Sequence, residues 1–174
     1  MFFEDTMADV GKFMDSGGPV LWAIVVLLFV MWTLIFERMW DLRSVVSVDV
    51  QGAIDTWEAR KEHKSKHAHQ VREKILSEVS LEINTNMMMI KTLIALAPLF
   101  GLLGTVTGMI TVFDVMAFTG GGDVKAMAGG VSQATVPTMS GMVAALSGVF
   151  AMTYVDRMAL REQQLLEDHL TMEN

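Results

Sequence analysis

The sequence predicts an all-α integral membrane protein: three transmembrane helices with long helical extensions on the cytoplasmic side. Three runs carry no Asp, Glu, Lys or Arg: Ser16 to Phe36, Thr92 to Phe113 and Ala126 to Val155, of 21, 22 and 30 residues. Roughly 20 apolar residues at ~1.5 Å rise cross the ~30 Å hydrocarbon layer of a bilayer, so each run is long enough to span. Basic residues then sort by side. Eleven of the thirteen Lys and Arg residues lie between Arg38 and Lys91 or after Val155, leaving only Lys12 and Lys125 elsewhere. By the positive-inside rule the N-terminus and second loop face outward, and the long first loop and the tail face the cytoplasm. The 52% hydrophobic content and mean hydropathy of +0.41 exceed those of a soluble domain. Three uncharged helices buried in a soluble core would leave too little of 174 residues to cover them.

Residues 1–15 form an acidic amphipathic segment on the periplasmic side, with Phe2, Phe3, Met7, Val10, Phe13 and Met14 as its apolar members. Such a segment can lie in the interface. Glu4, Asp5, Asp9 and Asp15 stand there against Lys12 alone, the reverse of a cleavable signal peptide's basic start. The first span, residues 16–36, begins at Gly17-Gly18-Pro19, which suits a helix start with proline in the first turn. Trp22, Trp32 and Trp40 mark its ends.

Residues 37–91 make a cytoplasmic helical loop. Its most hydrophilic stretch, Lys61 to His69, is the expected hairpin tip. His67 and His69 sit there at i, i+2 and share no helical face, so a solvated turn is expected and not a metal site. Beyond it Val71, Ile75, Val79, Ile83, Met87 and Ile90 recur every three or four residues. That stripe predicts one unbroken helix running into the second span, residues 92–113. Residues 114–130 form the periplasmic loop, with Ala126 to Gly130 expected as loop or interfacial segment. Its Gly120-Gly121-Gly122 lacks the lysine and hydroxyl partners of a phosphate cradle. The third span, residues 131–155, continues into a helical tail, 156–174, with Met158, Leu165, Leu166 and Leu170 along it. Long helices protruding on one side imply an assembly with a cytoplasmic skirt.

The second and third spans are rich in small residues and hydroxyls. Gly101, Gly104, Thr105 and Gly108 share one helical face, as do Ala134, Thr138, Gly141, Ala145 and Gly148. Small residues at this spacing serve close helix packing or line a polar pore or partner groove, and spacing alone leaves both readings open. Gly101, Gly104, Gly108, Gly141, Ala145 and Gly148 are the packing candidates, and homo-oligomerisation is expected through Gly104 and Gly108. No span carries an ionisable residue near its middle. Hydroxyls order water but cannot store a proton at physiological pH, so any proton carrier must be a carboxylate from another chain. With no cysteine, disulfides, thiolate metal sites and cysteine nucleophiles are excluded. No nucleophile, base and orienting group lie together in any span, so no enzyme, cofactor or nucleic-acid partner is expected.

In the run from Ala97 to Phe113, and at Gly130, Ala134, Thr138, Gly141 and Ala145, the chain resembles the ExbB/TolQ/MotA proton-channel family, most closely its short ExbB members. Glu37-Arg38, the large cytoplasmic loop and the N-out topology agree with that resemblance. It implies a ring-forming oligomer, a pentamer in the bacterial inner membrane, around the helices of an ExbD-like partner whose membrane aspartate takes and releases protons. The complex would energise a TonB-like protein that opens outer-membrane transporters. The implied pore lining takes in Thr105, Thr138, Gln133 and Thr135, with Thr105 and Thr138 facing the aspartate. The chain departs from the pattern at Gln133, where some members carry glutamate, and at Ser147, where proline is common. TolQ-like or MotA-like stators and a structural scaffold without ion conduction are the competing readings.

Overall fold

The computed structural model describes residues 2–44, 48, 51–52, 66–120 and 123–169, with backbone alone for 2–8, 66–69, 75, 119 and 169. The described residues form four long helices, in chain order α1 (Phe2–Ser44), α2 (Lys66–Ile83), α3 (Met87–Thr119) and α4 (Val124–His169). Among the described residues, three helices are long and apolar enough to cross a membrane, in agreement with the three charge-free runs.

Helix α1 is two helical pieces joined at Gly18, whose backbone (φ 63, ψ −164) is non-helical. That conformation is open to glycine and costly for any residue with a Cβ. Pro19, lacking an amide proton, then starts the second piece without leaving a donor unpaired.

Two expectations are corrected. The stripe entering the second span is not one helix: Asn84, Thr85 and Asn86 form a turn between α2 and α3. The side-chain amide of Asn84 donates to Ser80 O at 2.8 Å, Thr85 Oγ1 donates to Leu81 O at 3.0 Å, and Asn86 takes a left-handed φ of 61. Polar side chains thus take up the last carbonyls of α2, and asparagine tolerates the reversed backbone. The apolar stripe survives the break, with Val79, Ile83, Met87 and Ile90 all buried. Secondly, Ala126 to Gly130 is helix and not loop. Asp123 caps α4, its Oδ1 accepting the Ala126 amide at 2.9 Å, so the helix starts at Val124, before the expected segment begins. Of the expected hairpin tip, residues 61–65 lie outside the described residues, while Lys66 to His69 belong to α2.

The chain divides into two compact units. The first takes Met1–Trp32 and Thr92–Val149 and holds most of the charge-free sequence. Its core joins Leu27, Ala97 and Ala144, one from each spanning helix, with Leu28, Leu96, Phe100 and Ala145 packed against them.

The second unit takes Thr33–Lys91 and Phe150–Asn174. Ile35, Leu42, Ile83, Ile90, Val155 and Leu166 are buried in it. At its centre Arg38, only 4% exposed, donates to Glu82 O at 2.5 Å and to Ile83 O. A cation placed on the last carbonyls of α2 also meets the negative end of that helix's dipole. Lys91 and Asp156 pair at 3.0 Å, tying the start of α3 to the tail of α4.

Candidate pore face and interhelical seam

The glycine faces of α3 and α4 meet each other. A Cβ added at Gly101 would lie 3.0 Å from Thr138 Cα, one at Gly104 2.5 Å from Pro137 Cβ, and one at Gly108 on the backbone of Ala134. From the other side, a Cβ at Gly141 would lie 2.5 Å from Ala97 O, and one at Gly130 2.6 Å from Val112 Cγ2. Gly148 faces Ile94 and the Met31 thioether of α1. Only residues without side chains allow the two backbones this close, which is how small-residue stripes join membrane helices. The neighbour at Gly104 and Gly108 is therefore α4 of the same chain. This corrects the expectation that these two glycines face another copy, because the Gly108 position is already occupied by the Ala134 backbone.

Proline at 137 forms part of this seam. It lacks an amide proton, so it cannot donate to the carbonyl of Gln133 one turn earlier. Its ring is buried against Gly104. The Gln133 side-chain amide is half-buried and lies against Gly18, at the kink of α1.

The hydroxyls fall into two groups. Thr105 donates to Leu102 O at 2.7 Å, Thr107 to Leu103 O at 3.1 Å, Thr111 to Thr107 O at 3.1 Å, Thr135 to Val131 O at 3.1 Å and Ser147 to Ala144 O at 2.7 Å. Each proton is thus satisfied one turn back, and the oxygen lone pairs stay available as acceptors. Thr138 differs. Its hydroxyl donates across the seam to Gly101 O at 3.0 Å, and within its own turn to Ala134 O at 3.3 Å. Thr105 is half-buried and Thr135 exposed, while Thr138 is half-buried with its donor committed between helices. Of the four residues named for the pore, Thr138 and Gln133 thus have neighbours on other helices of the chain, and Thr105 and Thr135 bond within their own helices.

No ionisable side chain enters this seam. Lys91 and Asp114 bracket the α3 part, and Lys125 and Asp156 the α4 part. Among the described residues no group of three His, Cys, Asp or Glu side chains could hold a metal.

The family model described as MotA/TolQ/ExbB proton channel family matches residues 43–168, well over half of the chain. The chain belongs to the MotA/TolQ/ExbB proton channel family. Among its relatives, the biopolymer transport protein ExbB-like 1 of Synechocystis is 38% identical over 80 residues, covering 44% of this chain and 31% of that protein. ExbB-like 3 of the same organism is 35% identical over 81 residues, covering 42% and 39%. The biopolymer transport protein ExbB of Xanthomonas campestris is 29% identical over 94 residues, covering 54% and 37%. The matched stretch therefore spans about a third of the length of these relatives. In this MotA/TolQ/ExbB chain the matched region contains both partners of the glycine seam.

In the sequence Arg38 stands out only as part of the positive-inside bias and of the Glu37-Arg38 pair. Its burial was visible in spacing: Ile35, Arg38 and Leu42 follow i, i+3, i+7, and the two apolar members are core. Pro137 and Gly18 carried no comparable signal of what they would touch.

Proposed function

We propose that the chain is the channel subunit of an ion-driven stator in the bacterial inner membrane, working with an ExbD-like partner to couple proton-motive force to a TonB-like protein and energise outer-membrane transport. The observation that carries this reading is the absence of ionisable groups from the spans of a proton-channel family member. A charge crossing the membrane gains ~2.3 kcal/mol per 100 mV, and turning that into motion requires a group that binds and releases the proton. The hydroxyls here cannot titrate at physiological pH, so a partner carboxylate supplies that group. Biopolymer transport proteins named ExbB among the relatives support the same reading.

In this reading several copies, five by family resemblance, surround the partner's helices. Thr105 and Thr135 turn acceptor lone pairs toward the carboxylate and its water. Thr138 and Gln133 border the same path while holding α4 to α3 and α1. The N-terminus is periplasmic and the C-terminus cytoplasmic.

The test is proton flux into liposomes carrying the purified chain alone or with an ExbD-like partner. Flux is expected only with the partner, and flux from the chain alone would overturn the reading. The glycine stripes and the Thr138 hydroxyl are spent on packing within the chain, which favours a structural scaffold as the second reading. Liposomes that stay tight with the partner under an imposed membrane potential would select it. A TolQ-like or MotA-like stator differs in the partner that opens flux.

A further inference from the structure

In the first unit, α1 and α4 each place a proline four residues after a polar side chain: Pro19 after Asp15, and Pro137 after Gln133. Proline has no amide proton, so Asp15 O and Gln133 O both lack the donor that would ordinarily reach them from one turn on. At Asp15 the deficit coincides with the break at Gly18, whose φ of 63 and ψ of −164 take it out of the helix. Within a bilayer little water is at hand to replace a missing donor.

The Gln133 carboxamide is the side chain that meets this break. A Cβ added at Gly18 would overlap Gln133 Nε2 and lie 3.2 Å from Gln133 Cδ and Cγ, so the amide rests on the bare Cα with its nitrogen foremost. That nitrogen carries two N–H donors and no acceptor. The kink therefore receives a donor at the place where its own backbone is short of one.

The angle at Gly18 decides where the N-terminal piece of α1 lies. Phe13, on that piece, shares a hollow of about 490 Å³ with Leu21 and Ile24 of the spanning piece and Val136, Met139 and Ser140 of α4. The Ser140 hydroxyl donates back to Val136 O at 2.9 Å, which leaves the hollow an apolar seat for the Phe13 ring. Val10 stands eight residues before Gly18. At ~1.5 Å per residue that is a lever of ~12 Å, so a ~20° change at the kink displaces Val10 by ~4 Å.

We propose that Gln133 is a positioning residue for the N-terminal piece of α1: its amide, seated on Gly18, supplies the donor that Pro19 withholds from Asp15 O, fixes the kink angle and so keeps Phe13 over the hollow. An apolar side chain of the same length would fill the space and offer no donor. The inference goes beyond the proposed function and holds whether or not the chain conducts protons.

The test measures the kink directly in the full chain. It has no cysteine, so two introduced ones alone carry spin labels. Val10→Cys and Val26→Cys, both at exposed positions, put one label on each side of Gly18, and double electron–electron resonance in lipid nanodiscs reads their separation. Gln133→Met keeps the length and removes the donor. It should shift or broaden that distance distribution by several ångströms. A second pair, Val26→Cys and Leu146→Cys, reports on the spanning parts of α1 and α4 and should keep the wild-type distribution. A wild-type separation of the first pair in Gln133→Met overturns the proposal, because shape alone would then hold the kink. A shift in both pairs also overturns it, because the unit as a whole would have rearranged. Should Gln133→Met not fold, wild-type protein decides by NMR. The Gln133 side-chain amide protons should exchange slowly with solvent and show a cross-peak to the Gly18 Cα protons, and fast exchange without that cross-peak counts against the contact.

Discussion

Arg38 sits in the core of its unit with its charge directed at two main-chain oxygens, Glu82 O and Ile83 O. Hydrogen bonds to a charged group contribute ~1.5–3 kcal/mol each, and their loss also leaves the α2 carbonyls without a cap. Arg38→Gln should therefore lower the unfolding midpoint in detergent by several degrees. Arg38→Lys, whose single ammonium cannot fork across both carbonyls, should recover only part of it. A wild-type midpoint in both would remove Arg38 from its structural role. Thr105 and Thr138 separate at the same scale. Thr138→Val deletes a bond between helices worth ~0.6–2 kcal/mol in membrane proteins, so a modest loss of stability should accompany any loss of flux. Thr105 bonds only to Leu102 O in its own helix. Thr105→Val should leave stability unchanged and remove most partner-dependent flux, while Thr105→Ser should retain it. Full flux in Thr105→Val would assign that hydroxyl to local packing.

The seam between α3 and α4 shows what spacing can and cannot tell. Gly101, Gly104 and Gly108 recur on one face, and that much was legible because the helical period is known. The partner of the face was not, since the same stripe serves a neighbouring copy or the chain's own next helix. Gly108→Leu places a branched side chain on the Ala134 backbone. Overpacking costs ~1–3 kcal/mol in a well-packed core, and backbone contact leaves little room to relax. The expected outcome is loss of the folded chain itself, seen as proteolytic sensitivity, ahead of any change in assembly. Gly129 is the control: a Cβ there meets nothing within 4 Å, so Gly129→Ala should be neutral or stabilising by up to ~1 kcal/mol. The break at Asn84 to Asn86 was hidden for a related reason. The buried stripe keeps its spacing through the turn, so periodicity alone read one helix where there are two. Asn86→Gly should be tolerated and Asn86→Ala should cost ~1–2 kcal/mol, measured by the same unfolding midpoint.

At the scale of the whole molecule, three charge-free runs and an uneven distribution of Lys and Arg were enough to count the spans. The family was legible in the Ala97 to Phe113 run, where small residues and threonines replace the bulky residues of a simple anchor. Burial of Gln133 against the α1 kink depends on three-dimensional neighbours that no local pattern encodes. Sidedness is tested by labelling intact cells with an impermeant thiol reagent. Thr6→Cys and Gly121→Cys should label, while Ser65→Cys and Thr171→Cys should be protected. Labelling at Ser65→Cys in sealed cells would invert the topology.

The seam's lack of titratable groups also bears on how the protein can be produced. Its glycines close one backbone onto the other, and its hydroxyl protons are held by carbonyls, so no side chain of the seam can itself store a proton. If the proposed function holds, the subunit by itself is an electrical insulator. In that reading a cell could synthesise it ahead of its partner, or in excess, without short-circuiting the membrane that both would later draw upon, so the two need not be made in step.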